Sequence, residues 1–328
     1  MKCTHTAIVI GLFLCSFFSI AEESPPPTPM EAAISTSMPY PSKFIDVLGS
    51  KMHYVDSGSG AVFLFLHGNP SSSYLWRNVM PHVAPLGRVI AVDLIGFGQS
   101  DKPELDYTFQ THSHYINGFI AALGLKNITL VIHDWGSMLG LDYARRNEKN
   151  VKAIAMMEAI IPPTFPMSGY ADFGPFGETF KNFRTPEIGR QLLVEQNIFI
   201  EGILLNGAVT RKLSETEKNA YREPFLDTAT REPIYVWPNE LPIGGVPERN
   251  VVAVEKVGEW LKKSSVPKLL LYALPGALVN ADKAQWMQDN YRNLESVFVG
   301  YGAHYIQEDN PEAIGRNIFH WYQRKFPK

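Results

Sequence analysis

The stretch VIHDWGSMLG, residues 131–140, has the outline of a buried strand, a sharp turn and the start of a helix. In hydrolases of that layout the apex of the turn carries a serine nucleophile. Here it carries Asp134, between His133 and Trp135. Ile132 replaces the first small residue of the turn pattern, while Gly136 lets the helix pack closely on the turn. A carboxylate beside a helix N-terminus is stabilised as the anion, which suits a nucleophile. It suits equally a residue that merely caps the helix. The turn alone leaves both readings open.

Other residues add to the first. His304 lies in the turn YGAH after the apolar run ESVFVG. The order nucleophile, acid, histidine places a catalytic base there, although a lone loop histidine needs no such role. Glu158 ends the apolar run AIAMM. A buried carboxylate is costly unless paired, and an imidazole that it orients would be one partner; an arginine would be another. The later strand end YALPGAL has no carboxylate, and Asp282 comes only afterwards, so Glu158 is the candidate acid. Asp93 also ends an apolar run but opens DLIGFGQSD, and is assigned to turn structure. GFGQSD lacks the third glycine and the immediate helix of a dinucleotide loop. Asn69 and Trp135 carry N–H donors without positive charge. Their backbone N–H groups fall where an oxyanion hole forms, and their side chains suit a small anion above Asp134. Taken singly, they read as a turn residue before Pro70 and a core aromatic.

These positions need a frame. AVFLFLHG, RVIAVDL, ITLVIH, KAIAMME, PKLLLYAL and ESVFVG read as strands, several of them buried on both faces. Residues 51–55 read as an edge strand. Helical patterns at 113–123, 138–145 and 281–291 alternate with them. The alternation predicts an α/β fold with a mostly parallel, doubly wound sheet. In such sheets the site lies outside the carboxyl ends of the strands, where Asn69, Asp134, Glu158 and His304 all fall. Between residues 161 and 247 the alternation stops. Helical patterns rich in proline and aromatics predict an inserted helical cap, leaving 44–160 and 248–328 as the core.

The chain has 328 residues, 45% of them hydrophobic, enough for a large core. Its net charge of −3, with no run of Lys or Arg, argues against a nucleic-acid partner and a polybasic membrane patch. The histidines show no metal-ligand spacing. Oligomeric state is not encoded in any pattern found. At the N-terminus, Lys2 precedes AIVIGLFLCSFFSI, followed by Ala21 and the pair Glu22-Glu23. The run is shorter than the roughly 20 apolar residues of a bilayer span. Residues 1–21 therefore read as a secretory signal cleaved after Ala21. The expected location is periplasmic or secreted, with no stable membrane insertion after cleavage; an uncleaved membrane anchor is the alternative. The only cysteines, Cys3 and Cys15, lie inside this segment, so the cleaved chain has no disulfide. Residues 22–43, rich in Pro and Ser, read as a linker or arm.

HGNPSSSYLWRNVMPH, DLIGFGQSDKP, IHDWGSMLGLDYARR, MEAI, YREPF, WPNELPI and GAHYIQEDNPEAIG, taken together, resemble the haloalkane dehalogenases of the α/β-hydrolase superfamily. The subgroup is the one whose acid follows the sixth core strand, and the likeness runs in order from Phe44 to Lys328. The resemblance implies Asp134 as nucleophile, His304 as base and Glu158 as acid. It implies halide binding by Asn69 and Trp135, which also form the oxyanion hole. It implies a pocket that includes Phe199, Ile203, Trp237, Pro238, Leu241, Ala277 and Leu278. The expected partners are a small halogenated hydrocarbon, water and a halide ion; neither cofactor nor metal is expected. An epoxide hydrolase and a coelenterazine-type luciferase share this frame as alternatives. The former requires acidic tyrosines from the cap, for which Tyr170, Tyr221 and Tyr235 are available.

Overall fold

A computed structural model describes residues 34–327; the expected signal segment and most of the Pro/Ser-rich stretch lie outside the described residues. The strands are β1 (Ser42–Val47), β2 (Ser50–Ser57), β3 (Ala61–Leu66), β4 (Gly87–Val92), β5 (Ile128–Asp134), β6 (Val151–Ala159), β7 (Lys268–Pro275) and β8 (Leu294–Gly302). They form one sheet in the order β1-β2-β4-β3-β5-β6-β7-β8. From β4 to β8 all neighbours are parallel; β1 and β2 are antiparallel additions. Every residue of β5 is buried, as its unbroken apolar run requires when helices cover both faces. The expectation of a mostly parallel α/β sheet is met.

The edge differs from expectation. Residues 51–55 belong to β2, which is flanked on both sides; the strand at that edge of the sheet is β1. In SKFIDV only Val47 is buried, so β1 carries no hydrophobic run to announce it. It also begins inside the segment assigned to the arm. Residues further back are fastened too. The Ser35 N–H donates to Asn78 Oδ1 (2.9 Å). The Ser35 carbonyl accepts from Arg77 Nε (2.8 Å) and Asn78 Nδ2 (2.9 Å). Tyr74 Oη donates to the Thr36 carbonyl (2.6 Å).

Between β6 and the helix Glu248–Lys263 the chain forms only short helices. Two of them, Gln191–Glu195 and Phe199–Leu204, are π-helical turns. The buried Arg231 guanidinium donates to the carbonyls of Val194 and Glu195 in the first of them, and to those of Phe225 and Leu226 further along the cap. The helix Glu215–Arg222 starts with a complete capping box from Ser214 and Glu217. The same Glu217 belongs to a buried ionic cluster joining cap to core. Arg77 grips Glu308 through two nitrogens (2.5 and 2.8 Å) and reaches Glu217 (2.9 Å). Arg211 bonds both carboxylates, and Tyr221 Oη donates to Glu308.

Asp93 has the structural role assigned to it. Its Oδ1 accepts from the Ser73 N–H (2.7 Å), and its Oδ2 meets the Gln99 N–H and His53 Nδ1, each at 2.8 Å. This ties the loop after β4 to the loop after β3.

Candidate active site

Asp134 stands where β5 becomes the helix Trp135–Arg146, with φ 50° and ψ −129°. That backbone conformation is strained for a residue with a side chain, and strain of this kind persists only when the surroundings enforce it. The enforcement is close packing. A Cβ at Gly136 would come within 2.3 Å of the Leu66 carbonyl oxygen, and one at Gly68 within 2.0 Å of Asp134 Oδ1. Only glycine fits at either place. The Asp134 side chain makes no cap to its helix. Instead its Oδ1 accepts from the Asn69 N–H at 2.8 Å, and the nearby Trp135 N–H favours its ionised form.

His304 is largely enclosed, between two carboxylates. Its Nε2 lies 3.4 Å from Asp134 Oδ2, and its Nδ1 lies 3.0 Å from Glu158 Oε2. Glu158 is the extra residue of a β-bulge. His133 pairs with Met157 and Asp134 with Ala159, so Glu158 is skipped. Its φ is 46°. The bulge re-aims the side chain toward the loop after β7. There its Oε2 accepts from the N–H groups of Ala277 (3.2 Å) and Leu278 (2.7 Å), and its Oε1 from that of Val279 (3.1 Å). Hydrogen bonds thus compensate a buried charge. Side-chain types give no hint of this nest, because every donor is backbone.

Burial favours the neutral form of both Asp134 and His304, but proximity prevails. The neighbouring imidazole and the Trp135 N–H hold Asp134 below the usual carboxylate range. The two carboxylates lift His304 to about 9 against its burial. His133 is different. Fully buried, and next to His304, it is held down to about 3 and is neutral. Its Nε2–H donates to the His304 carbonyl (2.9 Å). Tyr305 Oη donates to the Asn69 carbonyl (2.7 Å). The Ala208 carbonyl of the cap accepts from the N–H groups of His304 (3.1 Å) and Tyr305 (3.0 Å). The histidine loop is thus fastened to the turn, the Asn69 loop and the cap.

A cavity of about 280 Å³ opens above Asp134. Asn69, Trp135, His304, Phe199, Ile203, Pro238, Leu241, Ala277 and Leu278 all line it. Trp237 does not. It is buried behind Trp135, ring centroids 4.3 Å apart, because the backbone turns its side chain toward the core while Pro238 faces the cavity. Four phenylalanines were missed: Phe165, Phe173, Phe176 and Phe180. Phe173 and Phe176 lie on either side of a break at Gly174, ahead of the helix Gly177–Phe183 that carries Phe180, so no single helical period marks them. The Asn69 side chain is buried, and neither amide atom has a hydrogen-bond partner among the described residues. The Trp135 indole N–H likewise has no partner among the described residues, and its ring lines the cavity. Among the described residues no tyrosine lines it; Tyr221 is committed to Glu308. Among the described residues, no group of three or more His, Cys, Asp or Glu could hold a metal ion.

Comparison with known proteins places this geometry. The description of the alpha/beta hydrolase fold matches residues 61–190. A haloalkane dehalogenase of Mesorhizobium japonicum is 40% identical over 306 residues, 92% of this chain and 96% of that protein. One from Sphingobium indicum is 44% identical over 293 residues, 87% of this chain and 96% of that protein. Among solved structures, the haloalkane dehalogenase from Bradyrhizobium elkani superposes with a TM-score of 0.83 at 42% identity, covering 86% of this chain and 97% of that one. The one from Agrobacterium tumefaciens gives 0.81 at 36% identity, covering 87% and 96%.

Proposed function

The chain belongs to the haloalkane dehalogenase family, and from that premise we propose that it hydrolyses haloalkanes to an alcohol, a halide ion and a proton through an ester on Asp134. The observation that carries the assignment of residues is the pair of unpartnered donors, the Asn69 amide and the Trp135 indole, beside a carboxylate at the apex of the turn. A buried amide without a hydrogen bond is costly, and an anion in the cavity would satisfy it.

Asp134 Oδ1 is held by the Asn69 N–H, which leaves Oδ2 as the attacking atom. Oδ2 forms a bond to the sp³ carbon in line with the halogen, and the electrons of the broken carbon–halogen bond leave with the halogen as halide. Asn69 Nδ2–H and Trp135 Nε1–H meet the charge as it develops, in an apolar cavity where such donors count most. His304 then takes a proton from water, and the hydroxide attacks the carbonyl carbon of the Asp134 ester. The backbone N–H groups of Asn69 and Trp135 hold the resulting oxyanion. Collapse releases the alcohol and restores Asp134, while Glu158 stabilises the imidazolium. A serine ether would not hydrolyse this way; an aspartyl ester does.

The electrostatics time these steps. In the resting site two anions flank His304 and keep its proton on. Esterification neutralises Asp134 and removes one of them, so the His304 pKa falls, the ring gives its proton to solvent, and it is then free to act as a base toward water. Epoxide hydrolysis is disfavoured because no cavity tyrosine can protonate an epoxide oxygen. The test is bromide and alcohol release by purified protein from a panel of bromo- and iodoalkanes. Release of neither across the panel refutes the assignment.

We also propose export with cleavage after Ala21, on the sequence pattern of residues 1–21. The N-terminal sequence of exported protein should begin at Glu22; retention of Met1 rules cleavage out.

A further inference from the structure

The Trp135 indole is the end of a stack. Its ring lies 4.3 Å from that of Trp237, at 32°. Trp237 lies 4.3 Å from His112, at 28°. Phe97 closes against both from 6.5 and 5.9 Å, and Phe109 flanks Trp135 at 6.2 Å. Trp237 and His112 are wholly buried. Trp237 Nε1, His112 Nδ1 and His112 Nε2 have no hydrogen-bond partner among the described residues. Three buried nitrogens without partners are a cost to stability, which apolar side chains in the same places would avoid. Burial holds His112 down to about 3, so the ring is neutral and flat rather than a buried cation.

The rings do have a geometric use. An indole donor helps a departing halide only if its N–H is already aimed when the charge develops. Trp135 can turn about two side-chain bonds, and the cavity side offers its ring no support where substrate must enter. Support has to come from behind, where Trp237 and His112 stand.

We infer that Trp237 and His112 are positioning residues, whose stack fixes the plane of the Trp135 indole and so aims its N–H at the halide. This rests on the proposed role of Trp135. It makes a prediction specific to one step. The indole N–H acts when the carbon–halogen bond breaks, whereas hydrolysis of the ester uses the Trp135 backbone N–H. Disturbing the stack therefore slows alkylation of Asp134 and weakens halide binding, and leaves hydrolysis of the alkyl-enzyme unchanged.

The experiment uses the purified chain with a short bromoalkane. Rapid quenching gives the alkylation and hydrolysis rates, and product inhibition by bromide gives its affinity. For His112→Ala we expect alkylation and bromide affinity each to fall about tenfold, the size of an aromatic stacking pair, with hydrolysis unchanged. His112→Phe, which restores a flat ring, should restore both. Unchanged constants in a folded, active His112→Ala enzyme overturn the stack, as does equal slowing of both steps, or a His112→Phe enzyme as impaired as His112→Ala. If His112→Ala does not fold, Trp237→Leu against Trp237→Phe makes the same comparison. A wild-type enzyme that releases and binds no bromide overturns the premise and the stack together, whereas unchanged constants in an active enzyme overturn the stack alone.

Discussion

The cavity has two walls built on different principles. The core wall supplies the polar groups: Asn69, Asp134, the Trp135 indole N–H and His304, with Glu158 behind them. The cap wall, from Phe165 to Leu241, supplies only hydrocarbon side chains and one glycine. Core groups are held by backbone donors and unusual backbone angles, as at Asp134 and Glu158. Cap groups sit on short, irregular helices that depend on Arg231 and on one ionic cluster. Chemistry needs atoms fixed to a fraction of an ångström; enclosing an apolar substrate needs only shape. The two walls should therefore fail differently when altered.

The largest effect is expected on the core wall. Asp134→Asn should lower kcat on the order of 10⁴-fold or more, with an unfolding midpoint close to wild type; retained activity would move the nucleophile elsewhere. His304→Phe should stop the reaction halfway. Mass spectrometry of the Asp134 peptide after exposure to a bromoalkane should show the alkyl adduct accumulating, and an unmodified peptide would break the assignment. Across the divide, Arg77→Met leaves two buried glutamates facing Arg211 alone. Breaking a buried ion pair on one side costs about 3–5 kcal/mol, read from urea unfolding, and the loss should be in stability before chemistry.

Stability should also vary with pH on both sides. His304, lifted to about 9, contributes stability that is full below its unfolded pKa of about 6.5 and is lost as pH rises through about 9. His112 and His133, held near 3, act oppositely: the folded state loses stability as pH falls below about 6.5, because only the unfolded chain takes up their protons. Asp134→Asn removes one anion beside His304, so thermal melts should show the alkaline decline starting at lower pH. An unshifted decline would mean that the pair is not coupled. The smallest effect is on the cap wall. Phe176 is half-exposed at the cavity. Phe176→Ala should change stability by less than about 0.5 kcal/mol while altering the kcat/KM ratio of short to long bromoalkanes by about two- to fivefold.

The same division explains what could be read from the sequence. Asp134, Glu158, His304 and Asn69 each end an apolar run or begin its loop, and the sheet's topology gathers those places at one end. Their types then suggested what they could do together. The support for Glu158 was hidden, because the N–H groups of Ala277, Leu278 and Val279 belong to any sequence. Strand β1 was hidden because it buries a single side chain. Trp237 was misplaced because a resemblance carries over a position, not the direction in which its side chain points. The docking of Ser35 and Thr36 could not be anticipated in a stretch whose composition suggests only a tether.

The bulge in β6 carries a consequence of its own. Glu158 reaches His304 because β6 has one residue more than its partner there. What places the acid is a count, not only a letter. Deleting one neighbour, such as Met157, would keep the glutamate and all the apolar character of the strand, yet turn its carboxylate to the wrong face of the sheet. The enzyme should tolerate many exchanges of side chain along β6 and hardly any change in its length.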